Sequence, residues 1–170
     1  MNWLTIVLRL VHVVGGVLWV GFAVFAAVFL FPTMAEIGPD AGKVMAALQR
    51  RRLLTVFPLL ALLTVISGLW LYGRAMRMAP GFGASRMGMT LGFGGVCALI
   101  ALLLGVLVIT PSMDRANATA QQAAQAATNE ERQALLALSA QRRARASRGT
   151  QIATSLLVIA ACAMAIGRYV

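Results

Sequence analysis

The residues best equipped for chemistry in this chain are one histidine and a group of methionines. His12 is the sole histidine among 170 residues and stands inside an apolar run, where an ionisable side chain is costly and so marks a site. An imidazole so placed can ligate a haem iron. Gly15 and Gly16 follow at three and four residues, so on a helix the surface beside the ring is bare, which is the room a flat macrocycle stacked on a ligating histidine needs. Arg9, one turn earlier, is placed to meet a haem propionate, and Trp19, seven residues on, continues the same face. The alternative for the same residues is a neutral histidine bonded to a neighbouring helix, with the glycines serving packing alone.

The methionines form two MxM pairs, Met76 with Met78 and Met87 with Met89, flanking Gly81, Phe82 and Gly83. Thioethers are soft donors that suit Cu(I), and two pairs brought together by a short loop supply three or four sulfurs. Packing at a helix end is their other reading. Hydrolytic chemistry finds little support, because Glu36, Asp40, Asp114, Glu130 and Glu131 all fall outside the apolar runs, and no Walker motif or nucleophile elbow is present. The lack of acids within those runs also argues against a proton-coupled transporter. Cys97 and Cys162 have no CxxC spacing and are expected to pack as small hydrophobes.

The element that must position these residues is a membrane-spanning helix. The chain is 60% hydrophobic and 12% charged, with a mean hydropathy of +0.82, well outside the range of soluble domains. A span takes about 20 apolar residues. Four such stretches are predicted, at about 3–31, 53–72, 89–110 and 152–166, giving an all-α fold: a polytopic four-helix membrane bundle that uses residues 1–170 as one domain. Pro32 and Pro111 are expected to stop the first and third spans, and Pro58 to kink the second. The first run exceeds the h-region of a signal peptide and follows no basic n-region, so it reads as a retained helix.

Lys43, Arg50, Arg51 and Arg52 fall between the first two spans, and Arg115, Arg132, Arg142, Arg143, Arg145 and Arg148 between the last two. The opposite side holds Arg74, Arg77, Arg86 and Arg168, with Arg9 slightly inside the first span. The positive-inside rule then puts the first and third connections in the cytoplasm and both termini outside. The net charge of +10 points to anionic lipid headgroups rather than nucleic acid, since the arginines sit beside apolar spans. The third connection, about 112–149, is rich in Ala and Gln, and Thr128 to Glu131 reads as a capping box; a cytoplasmic helical hairpin is predicted.

The run from His12 through Gly15 and Gly16 to Trp19 resembles the first helix of a bacterial superfamily that includes HemJ-type protoporphyrinogen oxidases and copper-resistance D (CopD) proteins. Arg51, Arg52, Thr55, Pro58 and the Gly68-Leu69-Trp70 triplet are similar to the second-helix pattern of the same proteins, and the uncharacterised small members are nearest. The resemblance implies a bacterial inner-membrane four-helix bundle, often a homodimer, whose first-helix histidine ligates haem b. The oxidase-type members carry a lysine in the third helix, whereas 89–110 here has no charged residue, which speaks against catalysis by that route. The expected function is therefore haem b binding through His12 in a redox or haem-handling accessory role. A structural or assembly subunit of a larger membrane complex, and Cu(I) handling through Met76, Met78, Met87 and Met89, are the alternatives.

Overall fold

A computed structural model describes residues 3–38 and 41–170; 91% of these are helical, with no strand among them. The expectation for Asp40 lies outside those residues. Four helices are long and apolar enough to cross a membrane: α1 (Trp3–Ile37), α3 (Leu53–Met78), α4 (Arg86–Ala124) and α5 (Asn129–Ile166). A short helix, α2 (Ala41–Arg50), joins α1 to α3, and a 3-10 turn, Phe82–Ala84, joins α3 to α4. By its charge alone, 41–50 reads as an exposed connection; the structure makes it helical.

Pro32 and Pro111 do not stop their helices. Each lacks the N–H that would bond the carbonyl four residues back, and its ring crowds that carbonyl. The chain absorbs both defects by widening the preceding turn. Ala26–Leu30 is π-helical, with the Phe31 N–H bonded to the Ala26 carbonyl, and Gly105–Ile109 is π-helical, with the Thr110 N–H bonded to the Gly105 carbonyl. The helix then continues to Ile37 in α1 and to Ala124 in α4. Pro58 lies inside α3, as its expected place within the second span requires.

The extensions set the proportions of the molecule. At about 1.5 Å per residue, the 39 residues of α4 and the 38 of α5 each reach nearly 60 Å, about twice the hydrocarbon thickness of a bilayer. Their polar ends pack against each other. The Ser139 hydroxyl donates to the Ala116 carbonyl at 3.0 Å, and the Arg142 guanidinium donates to the Arg115 carbonyl at 3.0 Å and to the Thr119 hydroxyl. Thr128 caps α5 by accepting the Glu131 N–H at 3.2 Å, while the Glu131 carboxylate reaches the Ala127 N–H at 3.3 Å, one residue earlier than a strict capping box requires.

α1 packs along α3 and α5, and α4 packs along α5 and α3, so the four long helices close a ring. Trp19, Ala61, Val65, Ala101, Ala153 and Leu157 form the core at its centre. The partition of residue sizes is the reverse of a soluble bundle. Small residues such as Ala26, Ser67, Gly94, Ala160 and Ala163 are buried, whereas Leu10, Val17 and Leu107 are 65%, 67% and 67% exposed. Cys97 follows its expected packing, but Cys162 faces outward. The total surface of 11286 Å² exceeds the roughly 8000 Å² of a compact globular monomer of 18.0 kDa.

Candidate functional site

His12 lies half-buried in the seam between α1 and α3, and the two helices interlock there. A Cβ added at Gly68 of α3 would stand 2.6 Å from His12 Cε1 and 2.9 Å from Nδ1, so the imidazole rests directly on α3 backbone. One turn along, the relation reverses: a Cβ at Gly15 of α1 would stand 2.5 Å from Thr64 Oγ1. Each helix thus inserts one side chain over a glycine of the other, His12 over Gly68 and Thr64 over Gly15. Only glycine leaves that space, since any Cβ would meet the facing side chain inside contact distance.

The hydrogen bonds of the seam fix the ring. His12 Nδ1 lies 2.8 Å from the Thr64 carbonyl oxygen. A carbonyl oxygen only accepts, so Nδ1 carries a proton and donates it, which selects the tautomer whose lone pair is on Nε2. Thr64 Oγ1 donates to the Leu60 carbonyl at 2.8 Å, and Ser67 Oγ donates to Leu63 at 2.6 Å and to the Thr64 carbonyl at 3.0 Å. The hydroxyls are therefore satisfied within α3, and His12 makes the bond between helices.

The other expected site residues are placed differently. Arg9 is exposed and makes no ion pair among the described residues. Trp19 is buried in the bundle core with Ala61 and Leu157, so packing accounts for it. The room beside the imidazole over Gly15 and Gly16 is not bare: Thr64 fills it, with Thr64 Cγ2 3.7 Å from a Cβ at Gly16. A single-helix view could not reveal this, because the filling side chain comes from α3. The arrangement offers a metal or haem iron one oriented nitrogen per chain. No group of three or more His, Cys, Asp or Glu gathers among the described residues.

Met76 and Met78 lie in the last turn of α3, and Met87 and Met89 in the first turn of α4; all four are exposed. Residues two apart on a helix point about 200° apart, so the sulfurs of each MxM pair diverge. A second feature, at the far end of the bundle, went unread in the sequence. Phe31, Met34 and Ala35 of α1, Met45 of α2, Ile109, Met113 and Asn117 of α4, and Arg143 and Ser147 of α5 line a cleft of about 610 Å³. Phe31 and Ile109 bring it against the two π-turns. A proline followed by a continuing polar helix was the sequence signal available for it.

Comparison with protein-family models, with curated proteins and with solved structures finds no match to this chain.

Proposed function

We propose that this chain is a polytopic protein of the bacterial inner membrane that binds haem b through His12, in a redox or haem-handling accessory role. The membrane reading is supported by the reversed partition of residue sizes, with large apolar side chains outside and small residues within. Orientation follows from charge. The hairpin end carries Lys43, Arg50, Arg51, Arg52, Arg115, Arg132, Arg142, Arg143, Arg145 and Arg148, so that end is cytoplasmic and both termini are outside.

The observation that carries the haem reading is the bond from His12 Nδ1 to the Thr64 carbonyl. Ligating histidines are held in this way, one ring nitrogen donating to a carbonyl so that the tautomer and ring orientation suit the other for the metal. The resemblance to HemJ-type and CopD-like proteins supports it from a second direction. Its two separate stretches, His12 to Trp19 and Gly68 to Trp70, meet in space where His12 rests on Gly68. Bound haem would supply one-electron chemistry or an open iron position. The chain's own residues supply one ligand, its orientation through Thr64, and its seating on Gly68. A second His12 from a homodimer partner, or a methionine such as Met87 or Met89, would be the further residue available to hold the haem.

A second reading has an observation of its own. The interlock of His12, Gly68, Thr64 and Gly15 gives the imidazole a packing and hydrogen-bonding role between α1 and α3, which suits a structural or assembly subunit whose hairpin docks a larger complex. Cu(I) handling by the methionines has weaker support, since helical spacing splits each pair. The test is an oxidised and dithionite-reduced absorption spectrum of detergent-purified protein from haem-replete cells, with haem quantified per chain. Haem at one per chain, or one per two chains, is the expected result. Colourless protein would overturn the haem reading and leave the structural one.

A further inference from the structure

We infer that the cleft at the hairpin end holds one anionic phospholipid, acyl chain inward and phosphate on Arg143. The inference uses the membrane orientation above but neither His12 nor haem, so the two stand or fall separately. The cleft lies where the apolar part of α4, 89–110, passes into its polar extension. On the orientation proposed, that level is the cytoplasmic boundary of the bilayer.

Its lining is divided as an amphiphile requires. Phe31, Met34, Met45, Ile109 and Met113 give an apolar wall, and the thioethers among them adapt to an irregular chain. Arg143, with Asn117 and Ser147, gives the polar side. Arg143 is exposed and makes no ion pair or hydrogen bond among the described residues, whereas its neighbour Arg142 is engaged with Arg115 and Thr119. A guanidinium at the membrane boundary, on the rim of an apolar cleft and without an ion-pair partner among the described residues, is complementary to a phosphodiester. The volume of about 610 Å³ falls within the range of small-ligand sites and admits part of one acyl chain with its headgroup at the mouth. The π-turns account for the opening, because each widened turn shifts the helix that follows it relative to the span before it.

The test is native mass spectrometry of the full chain, released from nanodiscs of phosphatidylglycerol or of phosphatidylcholine. The expected result is one phosphatidylglycerol retained per chain, no retained phosphatidylcholine, and retention lowered about tenfold or more in Arg143→Gln. Arg145→Gln, two residues along and on another face of α5, should match the parent chain. Ala144 also lines the cleft, and Ala144→Trp, which fills it without changing charge, should likewise lower retention. Equal loss in Arg143→Gln and Arg145→Gln would overturn the inference, since binding would then follow overall charge. So would equal retention of the two lipids, or full retention by Ala144→Trp. Unaltered far-UV dichroism of Arg143→Gln, whose side chain is exposed, keeps the result independent of folding.

Discussion

Replacing Gly15 with alanine should destabilise the bundle, and removing the Thr64 side chain should cancel that effect. The new methyl group would stand 2.5 Å from Thr64 Oγ1, far inside contact distance, and Thr64 is held in place by its bond to Leu60. Overpacking of this kind costs about 1–3 kcal/mol, against about 1 kcal/mol gained from the better helix former. A net loss of up to about 2 kcal/mol is expected for Gly15→Ala. Thr64→Ala removes a hydroxyl that bonds only within its own helix, a loss of about 0.5–1 kcal/mol. In the double variant, the nearest remaining neighbours of the methyl are Leu60 Cδ2 at 3.5 Å and the residue-64 Cβ at 3.7 Å, both ordinary contacts. The pair should therefore couple by about 1–3 kcal/mol, with the double variant about 1 kcal/mol more stable than Thr64→Ala alone because the helix-propensity gain is kept. Unfolding by sodium dodecyl sulfate in mixed micelles, followed by far-UV dichroism, measures the cycle. Losses that add to within about 0.5 kcal/mol would refute the interlock of α1 and α3.

Further predictions address the other parts of the account. Gly68→Ala places a methyl 2.6 Å from His12 Cε1 and 2.9 Å from Nδ1, so it should displace the ring and lower haem per chain. Gly16→Ala, whose methyl meets Thr64 Cγ2 at 3.7 Å, should leave haem content unchanged in the same absorption assay. Thr128→Ala removes the acceptor of the Glu131 N–H and should cost about 0.5–2 kcal/mol, confined to the hairpin and seen as faster amide exchange over 129–135. In a Cys97→Ala, Cys162→Ala background, Tyr169→Cys should react with an impermeant maleimide on intact spheroplasts, and Gln125→Cys only after permeabilisation. The reverse pattern would invert the topology.

The four long helices were legible because hydropathy and length are properties of each segment alone. Thr128 and Glu131 were legible for the same reason, as an N-cap is written in four consecutive residues. The helix ends at Pro32 and Pro111 were not. Proline's missing donor argues for a stop, but a π-turn absorbs the defect, and the sequence gives no local measure of which wins. The short helix α2 was hidden by its basic residues, which matched an exposed connection equally well.

The site was legible only in part. His12 stood out because a lone ionisable residue in an apolar run is conspicuous on its own helix. Its partners did not, because the meeting of His12 with Thr64 and Gly68 depends on the register of α1 against α3. The glycines beside His12 were read as open space, when they are the socket for Thr64. Trp19 shares the helix face of His12 by spacing, but the ring of helices turns that stretch of α1 toward the core.

The measurement that bears most directly on the central claim is the haem content of His12→Ala beside that of the parent chain, both purified from haem-replete cells. The account predicts a reduced b-type spectrum near stoichiometry in the parent and none in a variant whose far-UV dichroism remains that of a folded helical protein. A variant that keeps the full spectrum would contradict ligation by His12.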